Sequence, residues 1–303
     1  MRKLKLRRII SIVIAALLAI YVIGGFIATA LIYDRVFARY DNTVEIPREV
    51  EESRVRYTFA SGENELVGYL YGSSDRLIVL AQGFRAVQEE YLPVVLSLTA
   101  KGYSVFTFDP TGVGQSGGSD QRGFPQQIAD LEACLDFIDE NDRFGCSRLY
   151  LFGHSRGGTA ACVLAARADI VVAAGAYASV MDGVLQPPYG YVGRAAYLNY
   201  PHLWLWQTIR FGTELTGANA VSGLKACHDT DILIIQGLKD ESAPRDRFSL
   251  YSHRGDIGPN GSVQTNKVDY GHVDMLYSDG EANEEVIGII VDFIEFSENL
   301  PII

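Results

Sequence analysis

Gly153-His154-Ser155-Arg156-Gly157 has the composition of a turn that forces a serine hydroxyl into the open. The pentapeptide follows the apolar run Arg148–Phe152 and leads into a stretch rich in Ala and Gly, so it reads as strand, sharp turn and helix. A serine on such an elbow is strained, and flanking glycines remove the side chains that would collide. The bland alternative is a serine that merely sits in a strand-to-helix turn with small neighbours. A serine hydroxyl is a poor nucleophile at neutral pH unless a base takes its proton. Of the five histidines, His154 lies inside the elbow, and His202, His228 and His253 fall in an aromatic insertion, its exit or a helical stretch. His272, in Tyr270-Gly271-His272-Val273-Asp274, directly follows the last strand and precedes the final helix. There the chain order serine, acid, histidine places the base.

The acid must hold the imidazole in one tautomer and stabilise its positive charge, so it belongs at the end of the preceding strand. Asp240 occupies that place, after the apolar run Ile232–Ile235 and the turn Gly237-Leu238-Lys239, with Glu241 and Asp274 as rivals. Attack on a carbonyl creates an oxyanion that needs backbone donors set in advance. The amide of Arg156, next after the serine, is one candidate. The amide of Phe84, in the loop Gln82-Gly83-Phe84 after an early strand, is the other. Gly112-Val113-Gly114-Gln115-Ser116-Gly117 matches the spacing of a dinucleotide-binding turn, but it runs on into Gly118–Gly123 instead of opening a helix. No cofactor is expected from it. The four cysteines are too scattered for a disulfide framework or a paired metal site, so no metal is expected, and one disulfide stays open.

Five basic residues crowd the first eight positions of a chain whose net charge is -11, which leaves the remainder strongly acidic. An acidic body repels nucleic acid. Ile9–Tyr33 carries no charged side chain and, at ~1.5 Å per helical residue, outspans a ~30 Å hydrocarbon core. Residues 1–8 are therefore expected in the cytoplasm and 9–33 across the membrane as a signal anchor, with the catalytic body on the far side. Cleavage near Ala30, in the small-x-small sequence Ala28-Thr29-Ala30, is the competing expectation and would release a secreted protein.

Residues 34–52 read as a polar tether. The hydrolytic residues then need a scaffold, and 53–303 supplies an α/β pattern. Arg54–Ala60 and Glu65–Tyr71 form a hairpin signal. Strands are expected at Leu77–Ala81, Ser104–Phe108, Arg148–Phe152, Ile170–Ala174, Ile232–Ile235 and Val263–Val268. Helices are expected at Glu89–Ala100, Phe124–Asp139, Gly157–Ala168, Asp246–Ser252 and Asn283–Phe296. About residues 180–229, dense in aromatics and holding both tryptophans, Trp204 and Trp206, interrupt the alternation and read as a helical cap over a pocket.

With these residues in place, the chain resembles the α/β-hydrolase superfamily, in particular its esterase, lipase and serine-aminopeptidase-like branch. The resemblance covers about Val55 to Ile303 apart from the cap. Beside the elbow, Gln82-Gly83-Phe84 is similar to the family's His-Gly-Phe loop with Gln for His. Asp109-Pro110-Thr111-Gly112-Val113-Gly114-Gln115-Ser116 is similar to its Asp-x-x-Gly-x-Gly-x-Ser loop. The resemblance implies a mostly parallel central sheet flanked by helices. It also implies a serine hydrolase acting on an ester, thioester or amide through Ser155, His272 and Asp240. Cap and anchor favour an apolar acyl substrate, a small molecule or lipid-like, near the outer membrane face. An aminopeptidase, and a binding protein that keeps the fold without turnover, are the alternative expectations.

Overall fold

The computed structural model describes residues 2–257 and 263–299. Its N-terminal helix runs through α1 (Arg2–Ala19), a π-helical turn at Ile20–Gly24, and α2 (Gly25–Val36). The stretch Lys5–Val36 is long and apolar enough to cross a bilayer or to serve as a signal sequence. Large apolar side chains stand exposed along its first turns, whereas Thr29, Tyr33 and Phe37 are buried. Their spacing of four places all three on one helical face, turned toward the rest of the protein.

The stretch expected to act as a tether lies against the domain. Tyr40 exchanges backbone hydrogen bonds with the Gly112–Gly114 turn, its N–H meeting Gly112 O at 3.0 Å and its carbonyl receiving Gly114 N–H at 2.9 Å. The Arg39 guanidinium donates to the carbonyls of Gly114, Ser116 and Gly118. One fork of donors thus satisfies carbonyls that a tight glycine loop cannot pair internally. A short helix, α3 (Arg48–Ser53), leads into the sheet.

Strands β1 (Val55–Ser61) and β2 (Asn64–Tyr71) form the expected hairpin, with Gly62 at φ 58° in the turn. Then follow β3 (Arg76–Ala81), α4 (Leu92–Ala100), β4 (Ser104–Asp109), α5 (Phe124–Glu140), β5 (Arg148–His154), α6 (Arg156–Val163) and β6 (Ile170–Ala174). The cap comprises α7 (Val180–Val192), a 3-10 segment, α8 (Tyr200–Thr216) and α9 (Ala220–Ala226). The chain closes with β7 (Asp231–Gly237), β8 (Val263–Val268) and α10 (Glu284–Glu298). The eight strands lie in the order β1-β2-β4-β3-β5-β6-β7-β8, antiparallel through β1, β2 and β4 and parallel elsewhere.

Helices cover both faces, so the central strands are apolar on both sides rather than alternating. In β3, Leu77, Val79 and Ala81 pack under α5, α6 and α9, and Ile78 and Leu80 pack under α4 and α10. Each such fully buried aliphatic side chain contributes roughly 1.5–3 kcal/mol.

Three helical expectations need correction. Asp246–Ser252 is not an α-helix: the Asp246 carboxylate accepts the Phe248 N–H at 2.8 Å, a local turn that competes with helical pairing, and only a 3-10 segment, Leu250–Asp256, follows. The helix expected from Glu89 starts as an α-helix at Leu92, with Pro93 in its first turn and a 3-10 turn before it. The helix after the elbow stops at Val163, short of Ala168. All four cysteines are free and buried.

Candidate active site

The parallel strands β3, β5, β6, β7 and β8 are neighbours, and their carboxyl ends bring five loops to one edge, the usual place for a site in an open α/β sheet. Ser155 sits between β5 and α6 with φ 56° and ψ -119°, a backbone conformation that L-residues avoid. The glycines of the elbow are required by contact. A Cβ on Gly153 would lie 2.3 Å from Gly157 O, and one on Gly157 would lie 2.1 Å from Ala81 O. Only hydrogen atoms fit where the elbow crosses itself and β3.

His272 Nδ1 and Asp240 Oδ2 are 2.7 Å apart. The other oxygen of Asp240 accepts the N–H groups of Ser242 at 2.9 Å and Ala243 at 2.7 Å. Asp240 is thus buried with its acceptors occupied, and its carboxylate is fixed before the ring meets it. The rivals Glu241 and Asp274 are both exposed, and neither bonds the ring among the described residues. Gly175, at φ 57°, lies under this pair: a Cβ there would be 3.1 Å from both Asp240 Oδ2 and the His272 ring.

Ser155 and His272 line one cavity of about 770 Å³ together with Gly83, Phe84, Glu90 and Glu241. Gly83 passes close over the serine, since a Cβ on it would lie 3.3 Å from Ser155 Cβ. The backbone amides of Phe84 and Arg156 have no backbone acceptor among the described residues. Donors in this position can serve an oxyanion. The Arg156 side chain is buried, its pKa lowered by burial to about 10, and its guanidinium carbon stands 5.6 Å from the Phe84 ring centre. Gln82, at the position where the family motif has His, turns its amide to Phe108 O on β4 and is buried.

Sequence reasoning passed over a relay behind the site. Tyr91 Oη accepts the Gly83 N–H at 3.0 Å and lies 2.6 Å from His154 Nδ1, and His154 Nε2 lies 2.9 Å from the His272 carbonyl. A carbonyl oxygen can only accept, so Nε2 carries the proton and Nδ1 receives the tyrosine O–H. His154 therefore ties the loop bearing His272 to the loop bearing Phe84. Burial first, and the charge on His272 second, hold its pKa well below the usual histidine value, which keeps the ring neutral. The unspecified position before the serine was its only sequence signal, and Tyr91 had none.

The Gly112–Gly117 stretch opens no helix; α5 starts only at Phe124. Its Gly114 and Gln115 wrap the buried Asp109, whose oxygens accept the N–H groups of Gln88 at 2.8 Å and Gln115 at 2.9 Å. Burial raises the Asp109 carboxyl to about 7. Among the described residues there is no cluster of His, Cys, Asp and Glu able to hold a metal ion.

A second cavity, of about 300 Å³, also reaches Ser155. Phe84, Tyr177 and Pro187 line both cavities, so the serine stands where they join.

The sequence of a family described as serine aminopeptidase, S33, matches the chain over residues 72–241. No curated protein sequence matches it. Among solved structures, an esterase of Pyrococcus furiosus aligns with TM-score 0.63 at 18% identity, over 86% of this chain and 97% of the esterase. Est1E of Butyrivibrio proteoclasticus, with ferulic acid bound, aligns with TM-score 0.55 at 15% identity, over 79% and 97%. An acylaminoacyl peptidase of Pyrococcus horikoshii aligns with TM-score 0.56 at 15% identity, over 88% of this chain and 43% of the peptidase. At these identities the likeness is one of fold.

Proposed function

This chain belongs to the serine aminopeptidase S33 family of α/β-hydrolases, and on that premise we propose that it is a membrane-anchored serine hydrolase cleaving carboxylic esters of apolar acyl groups. His272 takes the proton of Ser155 as the serine oxygen attacks the carbonyl carbon. The Phe84 and Arg156 amides hold the oxyanion. As the tetrahedral centre collapses, His272 returns the proton to the leaving alcohol and an acyl-Ser155 remains. Water, deprotonated by the same ring, then releases the acid and restores the serine. Asp240 fixes the tautomer throughout. The observation that carries the reading is the 2.7 Å bond between Asp240 and His272 beside the cavity that Ser155 lines.

The anchor is retained in this reading. Cleavage near Ala30 would remove Tyr21, Phe26 and Thr29, which meet Leu198, Trp206 and Asn199 of the cap. The basic residues at the start of α1 support a body outside the cytoplasm.

A fluorophosphonate probe tests the chemistry. It is expected to label the protein and to leave Ser155→Ala unlabelled, and equal labelling of both would refute the assignment. Glu90 and Glu241 line the larger cavity and give a peptidase reading its one specific support, because an amino-terminal ammonium needs a carboxylate partner. Glu90 already accepts from Asn42 and from the Val87 amide, which leaves Glu241. Faster turnover of aminoacyl amides than of p-nitrophenyl esters would favour the peptidase.

A further inference from the structure

The two cavities at Ser155 differ in what surrounds them. The larger has Arg85, Glu241 and Ser242 in its wall. The smaller is walled by Thr29, Ile32 and Tyr33 of α2 on one side and Val184 and Leu203 of the cap on the other. Ile32 lines this cavity and is also 63% exposed, so the opening lies beside the anchor helix.

Helix lengths set where that opening stands. About 20 residues cross the hydrocarbon core. Counted from Arg8, the last basic residue before the apolar run, the span ends near Ala28, which sets Thr29, Ile32 and Tyr33 at the outer headgroup level. Tyr21, Gly25 and Phe26 then lie within the core, and each touches the cap. Tyr21 donates to Leu198 O at 2.7 Å and its ring centre is 4.7 Å from that of His202. Phe26 meets Trp206 at 5.7 Å. Gly25 permits the approach, since a Cβ there would fall 2.7 Å from the His202 ring. Small residues at close helix crossings are the usual device inside membranes. The partners Leu198, His202 and Trp206 are therefore at the depth of the outer leaflet.

The free face of α8 fits that depth. Tyr200, Trp204, Leu205 and Ile209 are exposed on it and uncharged. Arg210 turns inward to Asp34 and Asp120. The one other ionic side chain between Tyr189 and Arg210 is the exposed Arg194, long enough to reach headgroups.

Building on the hydrolase reading, we propose that the cavity between anchor and cap holds the acyl chain of a bilayer lipid, entered sideways from the outer leaflet, and that the anchor helix is a wall of the substrate site. The leaving group then occupies the larger cavity, beside Arg85 and Glu241.

The test uses the full chain in phosphatidylcholine vesicles and an alkyl fluorophosphonate with a diazirine at the end of its tail. After labelling at Ser155 and irradiation, cross-links are expected in residues 29–36 of the anchor and at Val184 and Leu203 of the cap. Cross-links confined to Tyr191, Glu241 and Val273, or insertion into water alone, would overturn the inference while leaving the nucleophile intact. Failure to label Ser155 at all would instead remove the hydrolase reading beneath it. As a second measurement, Ile32→Trp is expected to lower the ratio of kcat/KM for p-nitrophenyl octanoate over the acetate by roughly tenfold, the burial of about two methylene groups. An unchanged ratio would count against the anchor as a wall.

Discussion

Around His272, the ring's Nδ1, the Asp240 carboxylate and both nitrogens of His154 have partners, whereas along α8 several interior polar atoms do not. Asp240 accepts three N–H groups and His154 is engaged at both nitrogens. In α8, by contrast, His202 Nδ1, Trp206 Nε1, Gln207 Oε1, Thr208 Oγ1 and Thr216 Oγ1 are buried without a hydrogen-bond partner among the described residues. Saturated networks fix one geometry, and partly satisfied ones leave several of similar energy. The chain Asp240–His272–His154 thus holds its atoms in one arrangement, whereas the interior face of α8 retains packing alternatives. That division suits the proposed reading, in which the chemistry is fixed and the substrate arrives from a fluid phase.

The sharpest way to break the comparison is Asp240→Asn. The amide keeps the volume, yet one nitrogen replaces an acceptor and the ring loses its enforced tautomer. A fall in kcat of about 10⁴-fold is expected with little change in Tm, measured on a p-nitrophenyl ester. A loss below tenfold would mean that the carboxylate does not orient the base.

A smaller effect probes the relay behind the ring. Unfolded His154 binds a proton below about pH 6.5, and the folded ring, its pKa held well below that, does not. The unfolded state therefore carries more protons, so the contribution of His154 is full above pH 6.5. It is lost as pH falls, at up to ~1.4 kcal/mol per unit. His154→Gln should flatten the loss of stability between pH 6.5 and 5, read by urea unfolding. An equal slope in both proteins would show that the ring is not held neutral.

The two regions also differ in how far the sequence foretells them. The elbow is legible because its constraint is local: Gly153 and Gly157 must lack side chains where five residues fold back on themselves. Asp240 and His272 follow from strand order, since each loop leaves the carboxyl end of its own parallel strand. The cap was visible as an aromatic interruption of the alternation. Its union with the N-terminal helix was not, because Tyr21 and Leu198 stand 177 positions apart and an apolar helix gives no hint of which face meets protein. Arg39 reads as one more charge in a polar stretch until its three carbonyl partners are seen. Asp246 misleads for the opposite reason: its side chain competes for the backbone that the helical pattern claims.

The mildest perturbation sharpens the contrast most directly. Both tryptophans of the chain, Trp204 and Trp206, lie in α8, so the intrinsic emission reports on the cap alone and leaves the catalytic edge silent. Trp204 is 38% exposed on the uncharged face, and Trp206 packs on Phe26 of α2. In vesicles of phosphatidylcholine with brominated acyl chains, bromine at the depth of these rings should quench much of the emission. Iodide in the water should leave it nearly unchanged. The reverse pattern would lift α8 out of the bilayer and make its apolar stripe a surface facing water, which removes the reason for an opening beside Ile32.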